Sequence, residues 1–305
     1  MQASELSERF RGISAVAITP FTEDGSAVDV AGVEATVDFL VSEQVDVVVA
    51  CGNTAEYYGL SEAEARTVVD ASARALAGRA PLVVGVGGAP ETARRATEHA
   101  AENGADAVMV HHPANPYVTA EGLHAYYRAI AEVGLPVVPY VKAPVVTPEE
   151  LVRIAAEPWV VAVKYAVNDL PAFAAAVAAA AGRAELVWVC GTAERWAPFF
   201  FAVGADGFTS GLVNVAGGPS RALLDALRSG DRQAALDAWS SILPFEQLRA
   251  RKADGYNVSV VKEAVRQLGR PAGPVRPPAS EVGAEERSDI EAFLRSAGLL
   301  SEAVA

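Results

Sequence analysis

Cysteine is scarce in this sequence, with Cys51 and Cys190 as its two examples among 305 residues. Two cysteines cannot form a disulfide framework, which favours a reducing compartment. No apolar run approaches the roughly 20 residues needed to span a bilayer. Residues 1–10 mix acidic and basic side chains and lack the apolar segment of a secretion signal. We therefore expect a cytoplasmic protein without a membrane segment.

Positive charge is also in short supply. The formal net charge is −13, and the 25 lysines and arginines form no basic cluster. Nucleic acids and anionic membrane surfaces attract proteins through such clusters, so neither is an expected partner. The expected partner is a small molecule.

Apolar residues, by contrast, are abundant at 51% of the chain, and they recur as short runs separated by helix-like segments. Regular alternation of this kind favours a parallel sheet covered by helices. Eight such runs fit a closed (β/α)8 TIM barrel, a fold of roughly 250 residues. The predicted strands are 13–18, 45–50, 82–86, 107–110, 136–141, 159–165, 186–190 and 206–210. The fold class is thus α/β, with the barrel over residues 1–229 and a C-terminal helical extension over 230–305.

Lys164 ends the sixth apolar run, where a lysine is unexpected because this residue type is rarely fully buried. The carboxyl ends of barrel strands are where this fold carries its catalytic groups. Side chains alternate along a strand, so Lys164 and Tyr140 should both point into the barrel at equivalent heights of adjacent strands. Burial favours the neutral amine, which can attack a ketone to form a Schiff base. A phenol in reach is a suitable proton carrier, so we predict Lys164 and Tyr140 as catalytic residues.

Four further segments resemble parts of one enzyme family's sequence pattern. Residues 12–21 are similar to its first strand, 161–164 to its lysine strand, and 257–262 to a helix start in its C-terminal appendage. The fourth is the segment after the second predicted strand, Gly52-Asn53-Thr54-Ala55-Glu56, similar to a Gly-x-Thr-Gly-Glu loop. In these positions the chain resembles the dihydrodipicolinate synthase / N-acetylneuraminate lyase family. The resemblance implies a Schiff base between Lys164 and a 2-oxo acid, proton relay by Tyr140, and carboxylate binding by Asn53 and Thr54. It also implies a homo-oligomer, either a dimer or a tetramer.

Several positions depart from the lysine-pathway synthases of that family. Those enzymes carry a hydroxyl residue where this chain has Asn53, a second tyrosine where it has the 111–117 segment, and an arginine after the strand-five tyrosine where Lys142 is the only cation. Residues 56–60 are instead similar to a stretch of 5-dehydro-4-deoxyglucarate dehydratases. Hydroxyls at Thr209 and Ser210 suit a polyol chain. The substrate-binding candidates are Gly52, Asn53, Thr54, Ala55, His111, His112, Thr209 and Ser210.

His111 and His112 could also be considered as metal ligands. Adjacent strand residues point to opposite faces, and no acidic residue follows at a suitable spacing. We therefore predict no metal and no cofactor, and expect one histidine to line the substrate pocket. Residues 85–88 lack the spacing of a dinucleotide fingerprint.

Four functions remain open on the sequence. The first is a Schiff-base lyase that cleaves, condenses or dehydrates a sugar-derived 2-oxo acid such as 5-dehydro-4-deoxyglucarate or a 2-dehydro-3-deoxy acid. The second is a 4-hydroxy-tetrahydrodipicolinate synthase that uses pyruvate and aspartate semialdehyde. The third is a barrel that binds a small acid without catalysis, and the fourth is a metal-dependent aldolase.

Overall fold

The computed structural model describes residues 1–182 and 186–301. Eight parallel strands close into a barrel in which each strand pairs with the next and β8 returns to β1, which confirms the predicted TIM barrel. The strands are β1 Ile13–Val16, β2 Val47–Ala50, β3 Leu82–Val86, β4 Ala107–Val110, β5 Val137–Val141, β6 Val163–Tyr165, β7 Trp188–Cys190 and β8 Gly207–Ser210.

The sixth strand is shorter than the predicted 159–165. Regular pairing begins at Val163, whereas Val160 forms an isolated bridge with Val137. The backbone N–H of Val160 donates to the carbonyl of Glu157 in a turn, so this end of the run is not regular strand. The run therefore enters the barrel where we expected it, but only its last three residues are regular strand.

Helices connect successive strands and cover the outside of the barrel. They begin where the sequence offers caps: Ser61 with Glu64, and Thr147 with Glu150, each form a capping box. The helices up to the eighth strand are α1 Ala3–Phe10, α2 Val30–Ser42, α3 Glu62–Leu76, α4 Pro90–Glu102, α5 Ala120–Ala131, α6 Pro148–Ala155, α7 Leu170–Ala179 and α8 Ala193–Phe201. They are followed by α9 Gly218–Ser229, α10 Arg232–Ala250, α11 Asn257–Gln267 and α12 Ala284–Ser296.

The barrel lumen is filled by alternate residues of the strands, as the fold requires. Val138 and Tyr140 of β5 belong to this inner cluster, which also contains Met109 of β4, so the predicted alternation is confirmed. Helix α1, which the sequence did not lead us to expect, contributes Leu6 and Phe10 to the same cluster. The lumen is therefore packed with side chains below the mouth, and free space lies at the carboxyl ends of the strands.

Helices α10–α12 follow the barrel without adding strands, and they share its outer core. Phe245, Val260 and Ile290 are buried in the same cluster as residues of the barrel helices. The boundary between 229 and 230 remains a prediction, and residues 183–185 and 302–305 of the two predicted units lie outside the described residues. Within the described ranges, no helix combines the length and apolarity needed to cross a membrane.

Candidate active site

A cavity of about 610 Å³ lies at the carboxyl ends of the strands. That volume is within the range of small-molecule binding sites. Six of the predicted site residues line it, and four do not. The lining residues are Lys164, Tyr140, Asn53, Thr54, Thr209 and Ser210. Gly52, Ala55, His111 and His112 are not among the residues that line it.

Lys164 extends into this cavity from the middle of β6, and its side chain is only 4% exposed. Its Nζ lies 3.6 Å from the Sδ of Met109 and 4.0 Å from the ring centroid of Tyr140. Within the described part of the chain, no carboxylate pairs with this amine. Burial, reinforced by the charge of Lys142, lowers the pKa of Lys164 to about 7. A large share of the amine is therefore neutral, and nucleophilic, near neutral pH.

Gly191 provides the space for this lysine. A Cβ at Gly191 would lie 3.0 Å from the Cγ of Lys164 and 2.9 Å from the Cβ of Ala166. Both distances are shorter than ordinary van der Waals contacts, so a larger residue would displace the lysine stem. The glycine that follows β7 thus permits the extended position of Lys164.

Tyr140 and Lys164 are register partners in the parallel pairing of β5 with β6, as the alternation predicted. The phenol oxygen of Tyr140 accepts a hydrogen bond of 3.1 Å from the Nδ2 of Asn53. Because the amide donates, the phenol's own proton is free to point elsewhere. Burial raises the pKa of Tyr140 above its usual range, which keeps the phenol protonated. The Oδ1 of Asn53 is buried and has no hydrogen-bond partner among residues 1–182 and 186–301.

The loop that carries Asn53 and Thr54 is bounded by two residues with left-handed backbone conformations, Cys51 at φ 55° and Glu56 at φ 58°. Such conformations are unfavourable for residues other than glycine. Gly52 is required between them, because a Cβ there would lie 2.5 Å from the Cγ1 of Val16. The loop therefore needs support from outside to hold this shape.

That support comes from the C-terminal helices through a buried ion pair. The Nζ of Lys262 lies 2.6 Å from the Oε1 of Glu56, and the two side chains are 0% and 6% exposed. The same amine donates to the carbonyl of Pro274 at 2.8 Å, and the backbone N–H of Arg276 donates to the Oε2 of Glu56 at 2.9 Å. Both carboxylate oxygens of Glu56 are thus held by residues of the extension.

The two histidines lie beside the cavity. The Nε2 of His111 is 2.9 Å from the carbonyl oxygen of Cys51, and its ring stacks on Tyr57 with centroids 4.0 Å apart. Gly85 makes room for this contact, because a Cβ there would lie 2.7 Å from Nε2. Burial lowers the pKa of His111 to about 3, so its imidazole is neutral. A role for His111 or His112 in substrate binding remains a prediction.

The two hydroxyls at the end of β8 differ in their availability. The Oγ1 of Thr209 lies 3.4 Å from the carbonyl of Cys190, a long and weak hydrogen bond. The Oγ of Ser210 donates to the Oε1 of Glu194 and accepts from the backbone N–H of Val213 at 3.1 Å. Thr209 is therefore the better placed of the two to turn toward a ligand.

Several polar residues of the cavity were not among the predicted ones. Helix α10 and helix α11 contribute Arg249 and Asn257, whose side chains bond to each other, and no local pattern relates these residues to a strand end. The residues after β7 could have been predicted by the argument that led to Lys164, because catalytic groups of this fold lie at the carboxyl ends of the strands. The polar or aromatic residues missed are Tyr58, Lys142, Asn168, Thr192, Arg195, Trp196, Glu246, Arg249, Asp254 and Asn257.

The two cysteines at the strand ends, Cys51 and Cys190, are fully buried and unpaired. Burial raises the pKa of each thiol to about 12, so neither is a thiolate nucleophile. Among the described residues, no three or more His, Cys, Asp or Glu side chains are arranged to hold a metal ion.

A barrel that presents a desolvated lysine at its mouth, with a tyrosine in register, has the groups that Schiff-base chemistry requires. The model of the dihydrodipicolinate synthetase family matches residues 9–297. The chain belongs to this family, and it is a Schiff-base lyase of the family's type.

Individual relatives carry two kinds of name. A probable 5-dehydro-4-deoxyglucarate dehydratase 2 of Streptomyces avermitilis is 35% identical over 95% of this chain and 87% of its own length. A 4-hydroxy-tetrahydrodipicolinate synthase 1 of Streptomyces coelicolor is also 35% identical, over 86% of this chain and 85% of its own. The crystal structure of dihydrodipicolinate synthase from Bacillus clausii superposes with a TM-score of 0.92 at 42% identity, covering 96% of this chain and all 100% of that one.

The lowered pKa of Lys164 predicts how its reactivity depends on pH. The neutral fraction of an amine with a pKa of about 7 rises about tenfold between pH 6 and pH 8 and then levels off. Trace acetylation of Lys164, followed by mass spectrometry, should reproduce this profile, with the exposed Lys252 as an internal reference. An acetylation rate that still climbs about tenfold per pH unit above pH 8 would contradict the desolvated site.

The buried pair of Glu56 and Lys262 predicts a large effect on stability. Lys262→Met leaves the carboxylate of Glu56 buried without its cation, which should cost about 3–5 kcal/mol in the free energy of unfolding. Denaturant unfolding measures the loss. Arg94→Met, which breaks the exposed pairs of Arg94 with Glu91 and Glu98, is the matched control and should cost less than about 1 kcal/mol. Equal effects of the two changes would refute the importance of the buried pair.

Proposed function

We propose that this chain forms a Schiff base between Lys164 and a sugar-derived 2-oxo acid, and cleaves or dehydrates the acid next to the imine. The observation that carries the proposal is the buried amine, which has no carboxylate partner in the described part of the chain and stands in register with Tyr140. The candidate substrates are 5-dehydro-4-deoxyglucarate and 2-dehydro-3-deoxy sugar acids. The name of the Streptomyces avermitilis relative supports the first of these.

The reaction begins when the neutral Nζ of Lys164 attacks the ketone carbon, and the resulting carbinolamine takes up a proton and loses water to give an iminium ion. The iminium withdraws electrons and acidifies the C3 protons of the acid. Cleavage of the C3–C4 bond, with loss of the proton from the C4 hydroxyl, releases an aldehyde and leaves an enamine, which takes up a proton at C3 to complete an aldol cleavage. Loss of a C3 proton followed by departure of the C4 hydroxyl as water completes a dehydration. Hydrolysis of the imine then releases the product and frees the amine.

Tyr140 is the proposed proton carrier for these steps. Its phenol is protonated and its oxygen is held by the Nδ2 of Asn53, so the O–H can be directed at the substrate. The unpaired Oδ1 of Asn53 and the hydroxyl of Thr54 are proposed to contact the substrate around its carboxylate. Thr209 is proposed to bind a hydroxyl of the sugar chain.

A 4-hydroxy-tetrahydrodipicolinate synthase is the second candidate, because the structure at 42% identity is described as a dihydrodipicolinate synthase. Asn53 supports the first candidate, since an amide cannot pass a proton along as the hydroxyl of the lysine-pathway enzymes does. Turnover of pyruvate with aspartate semialdehyde in a coupled reductase assay would favour the second candidate. A barrel that only binds acids would keep its affinity after Lys164→Ala and show no turnover. Assembly as a dimer or tetramer and a cytoplasmic location remain predictions.

Reductive trapping tests the Schiff base. Borohydride with pyruvate, or with a panel of longer 2-oxo acids, should add the mass of the reduced ligand irreversibly at Lys164. Lys164→Ala should abolish the adduct, whereas the surface variant Lys252→Ala should retain it. If no 2-oxo acid gives an adduct under conditions that label another family member, the proposed function is wrong.

Deuterium exchange tests the role of Tyr140. The imine of pyruvate should exchange its methyl protons with deuterated water, and proton magnetic resonance follows the loss of signal. Tyr140→Phe should slow this exchange by about 10²-fold or more, the usual contribution of a general acid–base group, while the borohydride adduct at Lys164 persists. Exchange at the wild-type rate in Tyr140→Phe would assign proton transfer to another group.

A further inference from the structure

Two positively charged side chains in the cavity have no partner of opposite charge among residues 1–182 and 186–301. Lys142, which follows β5, and Arg195, in the first turn of α8, both line the cavity. Neither side chain makes a hydrogen bond or ion pair with a residue that the structure describes. Arg249, by contrast, is bound by Glu246 at 2.5 Å and by the side chain of Asn257. The cavity thus contains unneutralised positive charge besides Lys164.

Lys142 is an exposed side chain whose charge acts close to the reacting amine. After burial, its charge is the next cause that lowers the pKa of Lys164. It acts on His112 in the same way. Lys142 therefore has an electrostatic effect on the imine-forming end of the cavity.

Arg195 occupies a position that does not stabilise its own helix. It lies in the first turn of α8, where the helix dipole disfavours a cation. Ala193, the first residue of the same helix, adopts a left-handed backbone conformation at φ 62°, which is unfavourable for alanine. Such local costs concentrate at functional sites. The guanidinium of Arg195 is half-buried, comes shortly after a strained residue and has no partner among the described residues. A ligand with a negative charge would supply that partner.

We propose that Arg195 binds a carboxylate at the far end of the substrate chain, so that the substrates of this site are dicarboxylic 2-oxo acids. This inference rests on the Schiff base proposed above and selects among its candidate substrates. One carboxylate lies next to the ketone that Lys164 attacks, and the second is carried on the last carbon of the chain. The planar guanidinium can hold that carboxylate through two parallel hydrogen bonds.

The rim of the cavity also carries one acidic side chain that faces solvent, Asp254. It forms no ion pair with Arg195 in the structure. Asp254 would repel a second carboxylate and so lower the affinity for a diacid. It cannot itself bind that carboxylate. Asp254→Asn should therefore tighten the binding of a diacid more than that of a monoacid.

Paired ligands of equal chain length test the inference. 2-Oxoadipate and 2-oxohexanoate both have six carbons, and only the first has a terminal carboxylate. We would measure the ligand concentration that gives half-maximal borohydride trapping at Lys164, by mass spectrometry, for each acid. The wild-type protein should favour 2-oxoadipate about tenfold, equivalent to about 1.4 kcal/mol. Arg195→Gln should bring the ratio of the two concentrations close to one, and Arg195→Lys should restore part of the preference.

The outcomes separate this inference from the function on which it depends. If the wild-type protein traps both acids at Lys164 with equal half-maximal concentrations, the Schiff base stands and the second-carboxylate site is refuted. This comparison needs no variant, so it remains decisive even if Arg195→Gln does not fold. If Lys142→Gln abolishes the preference and Arg195→Gln keeps it, the assignment to Arg195 is wrong. If neither acid nor pyruvate is trapped, the proposed function and this inference both fail.

Discussion

The proposed chemistry depends on one amine that is kept out of water and has no counter-ion among the residues that the structure describes. The amine of Lys164 lies against a thioether and an aromatic face, those of Met109 and Tyr140. These soft partners tolerate a cation but do not stabilise it as a carboxylate would. The neutral form is therefore accessible near neutral pH. The protein gives up some stability for this, because an amine that would be charged in the unfolded chain is desolvated when the chain folds.

In the part of the chain that the structure describes, Lys164 lacks a carboxylate partner because the buried carboxylates near the cavity are bound by other groups. Glu194 is fully buried, and its Oε1 accepts hydrogen bonds from Ser210 and from Ser220, the latter at 2.6 Å. Burial raises the pKa of Glu194, so its protonated form is favoured. Glu246 is paired with Arg249. The hydroxyl of Ser210 therefore donates to a buried acid beside the cavity, and its predicted contact with a ligand stays a prediction.

The sequence was sufficient to predict features that depend on local periodicity, and insufficient for those that depend on distant contacts. Alternation along β5 and β6 correctly placed Tyr140 beside Lys164, because register in a parallel barrel follows from strand order. The start of β6 differs from the predicted residue 159, since an apolar run does not show where regular pairing begins. The pairing of Glu56 with Lys262 joins residues about 200 positions apart, and nothing at either position indicates the other. The same holds for Arg249 and Asn257, which reach the cavity from outside the barrel.

The hydrogen bond between Asn53 and Tyr140 runs from the amide to the phenol, and this direction distinguishes the site from one in which a hydroxyl residue stands at position 53. A hydroxyl at position 53 could accept the proton of Tyr140 and pass on its own, which would connect the phenol to groups beyond the cavity. The Nδ2 of Asn53 can only donate, so the phenol oxygen accepts and Tyr140 cannot pass its proton to residue 53 through this bond. A proton carrier with no onward connection through residue 53 is suited to reactions in which a proton removed from the substrate is returned to it. Loss of water next to an imine is such a reaction, because the C3 proton can leave with the departing hydroxyl. For the proton carrier proposed here, the amide thus removes onward transfer through residue 53.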